Sequence, residues 1–110
     1  MDDQMILEQL EGVAKGLEIE VRYETLRKET RYNPGGLCRI RGLPVIIVNR
    51  KSPLQDKVQV LAAAVKRFDL NGIYLRPGLR DFLDQVAPGR TVDADEIVEE
   101  EGEEEDEAEA

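Results

Sequence analysis

The side chains that most often carry out catalysis are nearly absent from this sequence. Its 110 residues include no histidine and one cysteine, Cys38. Without histidine the chain lacks the commonest general base, any Ser-His or Cys-His nucleophile pair and the usual ligand of zinc. No glycine-rich segment carries the lysine that a phosphate-binding loop requires. We therefore expect no catalytic residue, no metal site and no cofactor; an unusual enzyme that works through Cys38 or a pair of carboxylates is the one catalytic hypothesis left open.

Cys38 has two interpretations. It alternates with Arg39 and Arg41, and a neighbouring cation can lower the pKa of a thiol and make it reactive. Its side chain is also expected to point the same way as that of Ile40, into the core, and free cysteines are among the most frequently buried residues. We favour the second interpretation, a buried structural cysteine.

Charge is distributed unevenly along the chain, whose net charge is −9. Residues 93–110 contain twelve acidic residues and no basic residue, so the first 92 residues carry a net charge of +3. In residues 22–51 only Glu24 and Glu29 oppose a set of eight cations: Arg22, Arg27, Lys28, Arg31, Arg39, Arg41, Arg50 and Lys51. The acidic segment can therefore fold back over the basic surface and screen it.

The acidic C-terminal segment is predicted to be disordered. Its only large apolar side chains are Ile97 and Val98, so it can bury little apolar surface while its like charges repel one another. We divide the chain into a small α+β domain at residues 1–90 and a disordered acidic tail at residues 91–110. A domain of about 90 residues buries somewhat over ~60% of its surface on folding, which is enough for one modest core.

The first half of the domain is predicted to form one helix and three strands. Asp2 or Asp3 can cap a helix that ends near Gly16. Residues 17–23 alternate apolar and charged side chains, which is typical of a half-buried strand. Two further strands are predicted at residues 38–41 and 45–48. The connection between these two is short and predicts an antiparallel hairpin.

The second half is predicted to form two helices. Ser52 and Pro53 have the order of a cap residue followed by proline at the first helical position, and the helix is expected to end at Asn71. Residues 73–75 are apolar and extended, and Pro77 opens a last short helix. The predicted fold class is α+β: an antiparallel sheet of three strands, or four with residues 73–75, and helices packed on one face.

The middle of the chain follows the residue order of a known scaffold. Residues 42–53 read Gly-Leu-Pro-Val-Ile-Ile-Val-Asn-Arg-Lys-Ser-Pro, and residues 61–67 read Leu-Ala-Ala-Ala-Val-Lys-Arg. This strand, Ser-Pro and helix arrangement resembles the core of the ImmA/IrrE-type zinc metallopeptidases, in which the helix carries Leu-Ala-His-Glu-x-x-His. Ala63 and Arg67 stand at the positions of the two histidine ligands, and Ala64 stands at that of the general base.

This resemblance covers residues 42–77 and implies a peptidase scaffold that has lost all its ligands. Such a scaffold would serve only as a binding module. The whole chain also resembles a group of small bacterial proteins, and that resemblance implies no function.

The favoured functional hypothesis is a non-catalytic, cytoplasmic module that binds another protein. Ile97 and Val98, set among acids, can dock in a basic and partly apolar groove of a partner, although a purely solubilising tail is the simpler alternative. The first residues are acidic where a signal peptide would be basic, and no apolar run reaches membrane-spanning length, so we expect no membrane partner. A sheet face left open by the helices would allow homodimerisation.

The alternative hypothesis is nucleic-acid binding by the basic residues 22–51, with the acidic tail as an autoinhibitor. Arg22, Arg39 and Arg41 alternate with core-directed neighbours, and we expect them to share one exposed face of the sheet. From that face they would contact phosphates. Against this hypothesis, the domain carries only a small positive charge and no recognised nucleic-acid-binding motif.

Overall fold

The computed structural model describes residues 2–25 and 34–89 and the backbone of residues 91–92. Its elements, in chain order, are α1 (Asp3–Gly16), β1 (Glu20–Glu24), β2 (Gly35–Ile40), β3 (Leu43–Asn49), α2 (Leu54–Val65), α3 (Pro77–Asp84) and β4 (Thr91–Val92). The predicted α+β class is confirmed. The predicted disordered tail from residue 93 onward lies outside the described residues, and so do Arg27, Lys28 and Arg31 of the basic segment.

Helix α1 begins where its cap residue predicts. The Asp2 carboxylate accepts a hydrogen bond from the Met5 N–H (2.9 Å), which satisfies one of the free donors of the first turn. Ile6, Leu10 and Val13 recur at helical spacing and are buried. One face of α1 is therefore fixed against the core.

The sheet is mixed, and the prediction of a purely antiparallel sheet was wrong. β2 and β3 do form the predicted antiparallel hairpin, through a turn in which Arg41 and Gly42 both have positive φ (56° and 83°), as tight hairpin loops require. β1 pairs with β3 in parallel, and the strand order is β1-β3-β2-β4. β3 takes an interior position because residues 45–48 are apolar and buried on both faces.

The fourth strand is not the one suggested by the sequence. Residues 73–75 form no strand; Leu75 is buried in the main core, whereas Tyr74 is 80% exposed. β4 instead pairs in parallel with β2, Thr91 opposite Leu37 and Val92 opposite Cys38. The sheet therefore extends two residues past the predicted domain boundary at residue 90.

Helix α2 begins and ends differently from the prediction. The Ser52 hydroxyl does not cap it but donates to the Asn49 carbonyl (2.7 Å), and Pro53 occupies the N-cap position. The helix ends at Val65, six residues early, because the backbone bonds that follow Lys66 reach back only three residues; the Phe68 N–H donates to the Val65 carbonyl (3.1 Å). α3 begins at Pro77 as predicted.

The helices pack on one face of the sheet, as predicted. We call this the helix face; its sheet residues in the main core include Leu37, Ile46 and Val48. The opposite side, which we call the second face, carries a separate cluster of Cys38, Val45 and Ile47, with Ile40 packed against it. Successive side chains of a strand point to opposite faces, so the continuous apolar run of β3 supplies both clusters.

Candidate functional site

The three arginines of the predicted basic face do not lie together. The pairing with β3 places Arg22 on the second face and Arg39 on the helix face. Arg41 lies in the hairpin turn, beyond the paired strands. Arg22 also donates through Nε to the Glu20 carboxylate (2.9 Å). These residues therefore do not form one continuous basic surface.

Cys38 is fully buried, as predicted, but in the cluster of the second face. Burial raises the pKa of the Cys38 thiol, and the charge of Arg22 lowers it by a smaller amount. A thiol whose pKa is raised holds little thiolate at neutral pH, and the thiolate is the reactive form. The geometry gives no support to a nucleophilic role.

The positions that correspond to zinc ligands in the peptidase resemblance are engaged in packing. The Gly89 N–H donates to the Ala63 carbonyl (2.9 Å), and Arg67 donates through Nη1 to the Gly89 carbonyl (2.8 Å). Ala64 is buried in the main core. Within the described ranges, no three His, Cys, Asp or Glu side chains are grouped so as to hold a metal ion. This side of α2 holds the segment that leads to β4.

In the part of the chain that the structure describes, the outer side of β1 forms an open edge of the sheet. The Arg50 N–H donates to the Glu24 carbonyl (2.7 Å), and this bond sets the alternation in which residues 20, 22 and 24 face β3. The backbone groups of Val21 and Tyr23 consequently point away from the sheet. The Arg50 guanidinium donates a hydrogen bond through Nη2 to the Tyr23 carbonyl (2.9 Å). The N–H and C=O of Val21 and the N–H of Tyr23 have no partner in the part of the chain that the structure describes.

A groove of about 430 Å³ lies between α1 and this edge. Its lining combines apolar side chains of the strand with charged side chains of the helix and the following turn: Glu11, Lys15, Glu18, Ile19, Glu20, Val21 and Tyr23. Among the described lining residues, three carboxylates face one ammonium group, so this part of the lining is acidic. Its chemistry suits an extended segment that presents both apolar and cationic side chains.

Tyr23 joins the two walls of the groove. Its phenol donates a hydrogen bond to the Glu11 carboxylate of α1. Burial raises the pKa of Tyr23, and the hydrogen bond and the charge of Glu11 raise it further. The phenol therefore stays protonated at neutral pH and keeps its donor role between helix and strand.

The sequence reasoning did not find this edge. The alternation in residues 17–23 predicts a half-buried strand, but it does not say which neighbours the strand has. The available signal was the row of charges Glu20, Arg22 and Glu24, because charged side chains are common on edge strands. The predicted tail contacts, Ile97 and Val98, lie outside the described residues.

No protein-family model, curated protein or solved structure matches this chain. Among the described residues, no helix is both long enough and apolar enough to cross a membrane.

Proposed function

We propose that this chain is a non-catalytic, cytoplasmic protein-binding module that takes up an extended, cationic segment of a partner protein along the outer edge of β1. The observation that carries the proposal is that the N–H and C=O of Val21 and the N–H of Tyr23, beside an acidic groove, have no partner among the described residues. Adding a strand to an exposed sheet edge is a common mode of peptide recognition.

The backbone of the edge supplies affinity without requiring a particular partner sequence. A strand laid beside β1 would accept from the Val21 and Tyr23 N–H groups and donate to the Val21 carbonyl, while the Arg50 guanidinium already occupies the Tyr23 carbonyl. Only a short ladder is offered, so we expect weak, reversible binding of a segment of about five residues.

Charge around the edge supplies selectivity. Alternate partner side chains would point into the groove, towards Glu11 and Glu18, and the others would lie beside Glu20 and Glu24 on the second face. Lys15 is the one cation among the described lining residues, so an alternating cationic and apolar segment is favoured over an acidic one. Nucleic acid is disfavoured at this site because its phosphates would face the same carboxylates.

The test is an NMR titration of the full chain with a blocked peptide of alternating lysine and valine, five residues long. We expect the amide signals of Val21 and Tyr23 to shift most, and an otherwise identical peptide with glutamate in place of lysine to cause at least about tenfold weaker binding. Equal binding of the two peptides would contradict electrostatic selection, and shifts elsewhere would contradict the edge as the site.

A single proline substitution distinguishes strand addition from simple charge attraction. Val21→Pro removes an N–H that faces away from the sheet, and proline is tolerated at such positions of edge strands. Val21→Thr, similar in shape, keeps the N–H and serves as the control. We expect the proline variant to fold but to bind the lysine peptide at least about tenfold more weakly, while the threonine variant binds almost as well as the parent. Retained binding by a folded proline variant would refute strand addition.

A further inference from the structure

We infer that Glu18 selects the partner of the β1 edge by binding a lysine or arginine side chain at the end of the segment that passes Ile19. The inference rests on the proposed function and deepens it, because it assigns a required cation to one position of the partner. Two observations carry it. Among the described lining residues, Glu18 has the one carboxylate without a partner, and its backbone adopts a conformation that glutamate disfavours.

The three carboxylates among the described lining residues differ in what they contact. Glu11 accepts a hydrogen bond from the Tyr23 phenol. Glu20 accepts one from Arg22 Nε (2.9 Å). The Glu18 side chain is exposed and has no hydrogen bond or ion pair to any residue that the structure describes. A carboxylate that already accepts from a neighbour has to share or lose that contact when it binds a new cation, whereas the Glu18 carboxylate gives up only water.

Glu18 lies where α1 ends and the chain turns towards β1. Leu17 is the C-cap residue of α1, and Glu18 follows it with φ of 63°. The Glu18 N–H donates to the Lys15 carbonyl (2.9 Å), and the Ile19 N–H donates to the Ala14 carbonyl (2.9 Å). These two bonds form a Schellman motif, in which the residue after the C-cap has positive φ. Glycine is the usual residue at this position because it has no Cβ.

The chain therefore keeps a side chain at a position where glycine would make the same turn with less strain. Backbone strain of this kind is concentrated at binding and catalytic sites. Here the strained residue contributes its carboxylate to the groove, two residues before β1 begins. A segment laid along β1 has one end that passes Ile19, and a cation at that end meets the Glu18 carboxylate while Val21 contacts an apolar neighbour.

Two blocked five-residue peptides of valine and threonine test the position of the cation, one with a single lysine as its first residue and one with it as its last. Their affinities for the full chain are measured by NMR titration of the Val21 and Tyr23 amide signals. Glu18→Gln should weaken the binding of one peptide by about two- to fivefold, the strength of an exposed ion pair, and leave the other unchanged. Glu8→Gln makes the same change on α1 outside the described lining and should leave both affinities unchanged.

Glu18→Gly distinguishes a role in binding from a role in folding, because its two expected effects have opposite signs. Glycine relieves the strain, so the midpoint of thermal unfolding should rise by about 2–8 °C. The same variant should lose affinity for the same peptide as Glu18→Gln does. A lower midpoint would overturn the inference, because Glu18 would then be retained for the fold and not for binding.

The peptide titrations also distinguish failure of this inference from failure of the proposed function. Equal weakening of both peptides by Glu18→Gln, no weakening of either, or an equal effect of Glu8→Gln would overturn the role of Glu18 and leave the β1 edge as the peptide site. If neither peptide shifted the Val21 and Tyr23 signals of the parent chain, the proposed function would be wrong, and the inference with it.

Discussion

The two edges of the sheet differ in charge and in what lies beside them. At β1 the outward groups of Val21 and Tyr23 border a groove lined by carboxylates. At β2 the edge already holds the two residues of β4, and the side chains that follow are Arg39 and Arg41. Among the described residues, one sheet thus presents an edge at β1 that has no neighbouring strand and an edge at β2 that is paired with the two residues of β4 and continues with two arginines.

This difference shows that one strand order can treat the two exposed edges of a sheet in two different ways. Exposed sheet edges invite association with other chains, and a protein has to cover them or put them to use. The edge of β2 is paired with β4, whereas the edge of β1 is separated from β4 by β3 and β2. In the described part of the chain, β4 therefore covers part of one edge of the sheet, and the edge of β1 has no such neighbour.

The largest effect is expected from a substitution that disrupts the pairing of β2 with β3. Gly35 begins β2 with φ of 113°, and a Cβ at this position would lie 2.0 Å from the Ile47 carbonyl oxygen. Gly35→Ala therefore combines a backbone conformation that alanine avoids with a direct clash. We expect the free energy of unfolding to fall by more than about 3 kcal/mol, measured by urea denaturation.

Gly12 provides the matched control for this substitution. It lies in α1, and a Cβ there meets no atom within 4 Å. Gly12→Ala should raise the free energy of unfolding by about 0.5–1 kcal/mol, because alanine is the better helix former. If the two variants changed stability by similar amounts, the close approach of β2 to β3 would not be the source of the effect.

A second prediction contrasts the inner and outer sides of β1 itself. The Arg22 N–H faces β3, whereas the Val21 N–H faces away from the sheet. Arg22→Pro should therefore remove a bond of the ladder and cost about 3 kcal/mol, while Val21→Pro should cost much less. Thermal unfolding of both variants measures the difference. Equal losses would mean that the alternation assigned to this edge is wrong, and with it the peptide site.

The local elements could be predicted because their signals are local. The cap residue Asp2, the apolar spacing of α1 and the proline that opens α3 each act within one or two turns of helix, and the structure contains all three. The hairpin followed from a short connection next to a β-branched run. These features need only neighbouring residues to decide them.

The strand order and the site could not be predicted, because neighbouring residues alone do not decide them. Arg22 and Arg39 each alternate with apolar neighbours, but their faces depend on which strand lies between them. β3 is apolar at every position from 45 to 48, so its own sequence does not say which residues meet the helices. Cys38 was predicted to point into the core together with Ile40, whereas Leu37 lies in the main core and Cys38 lies in the cluster of the second face. The parallel pairing of β1 with β3, which creates the open edge, is a property of the assembled sheet.

The smallest effect concerns the contact that joins α1 to the open edge. Tyr23→Phe removes the hydrogen bond from the phenol to Glu11 and should lower the free energy of unfolding by about 1 kcal/mol at neutral pH. Because the pKa of Tyr23 is raised in the folded chain, the phenol ionises first in the unfolded chain, from its ordinary value of about 10. The contribution of Tyr23 is therefore complete below that pH and declines above it, since ionisation then favours the unfolded chain.

The difference in the free energy of unfolding between the parent and Tyr23→Phe, measured as a function of pH, tests this contact. Urea denaturation of the parent and of Tyr23→Phe at pH 7, 9 and 10.5 should give a constant difference in stability at the first two values and a smaller one at the third. The lysine peptide should also bind the variant more weakly, because the wall of the groove loses its attachment to α1. A difference that grew with pH would mean that ionised Tyr23 is stabilised by the fold, which contradicts its placement beside Glu11. If the difference in stability stayed constant with pH and peptide binding were unchanged, the contact between Tyr23 and Glu11 would not be part of the site. The open edge of β1 would then bind through its backbone alone.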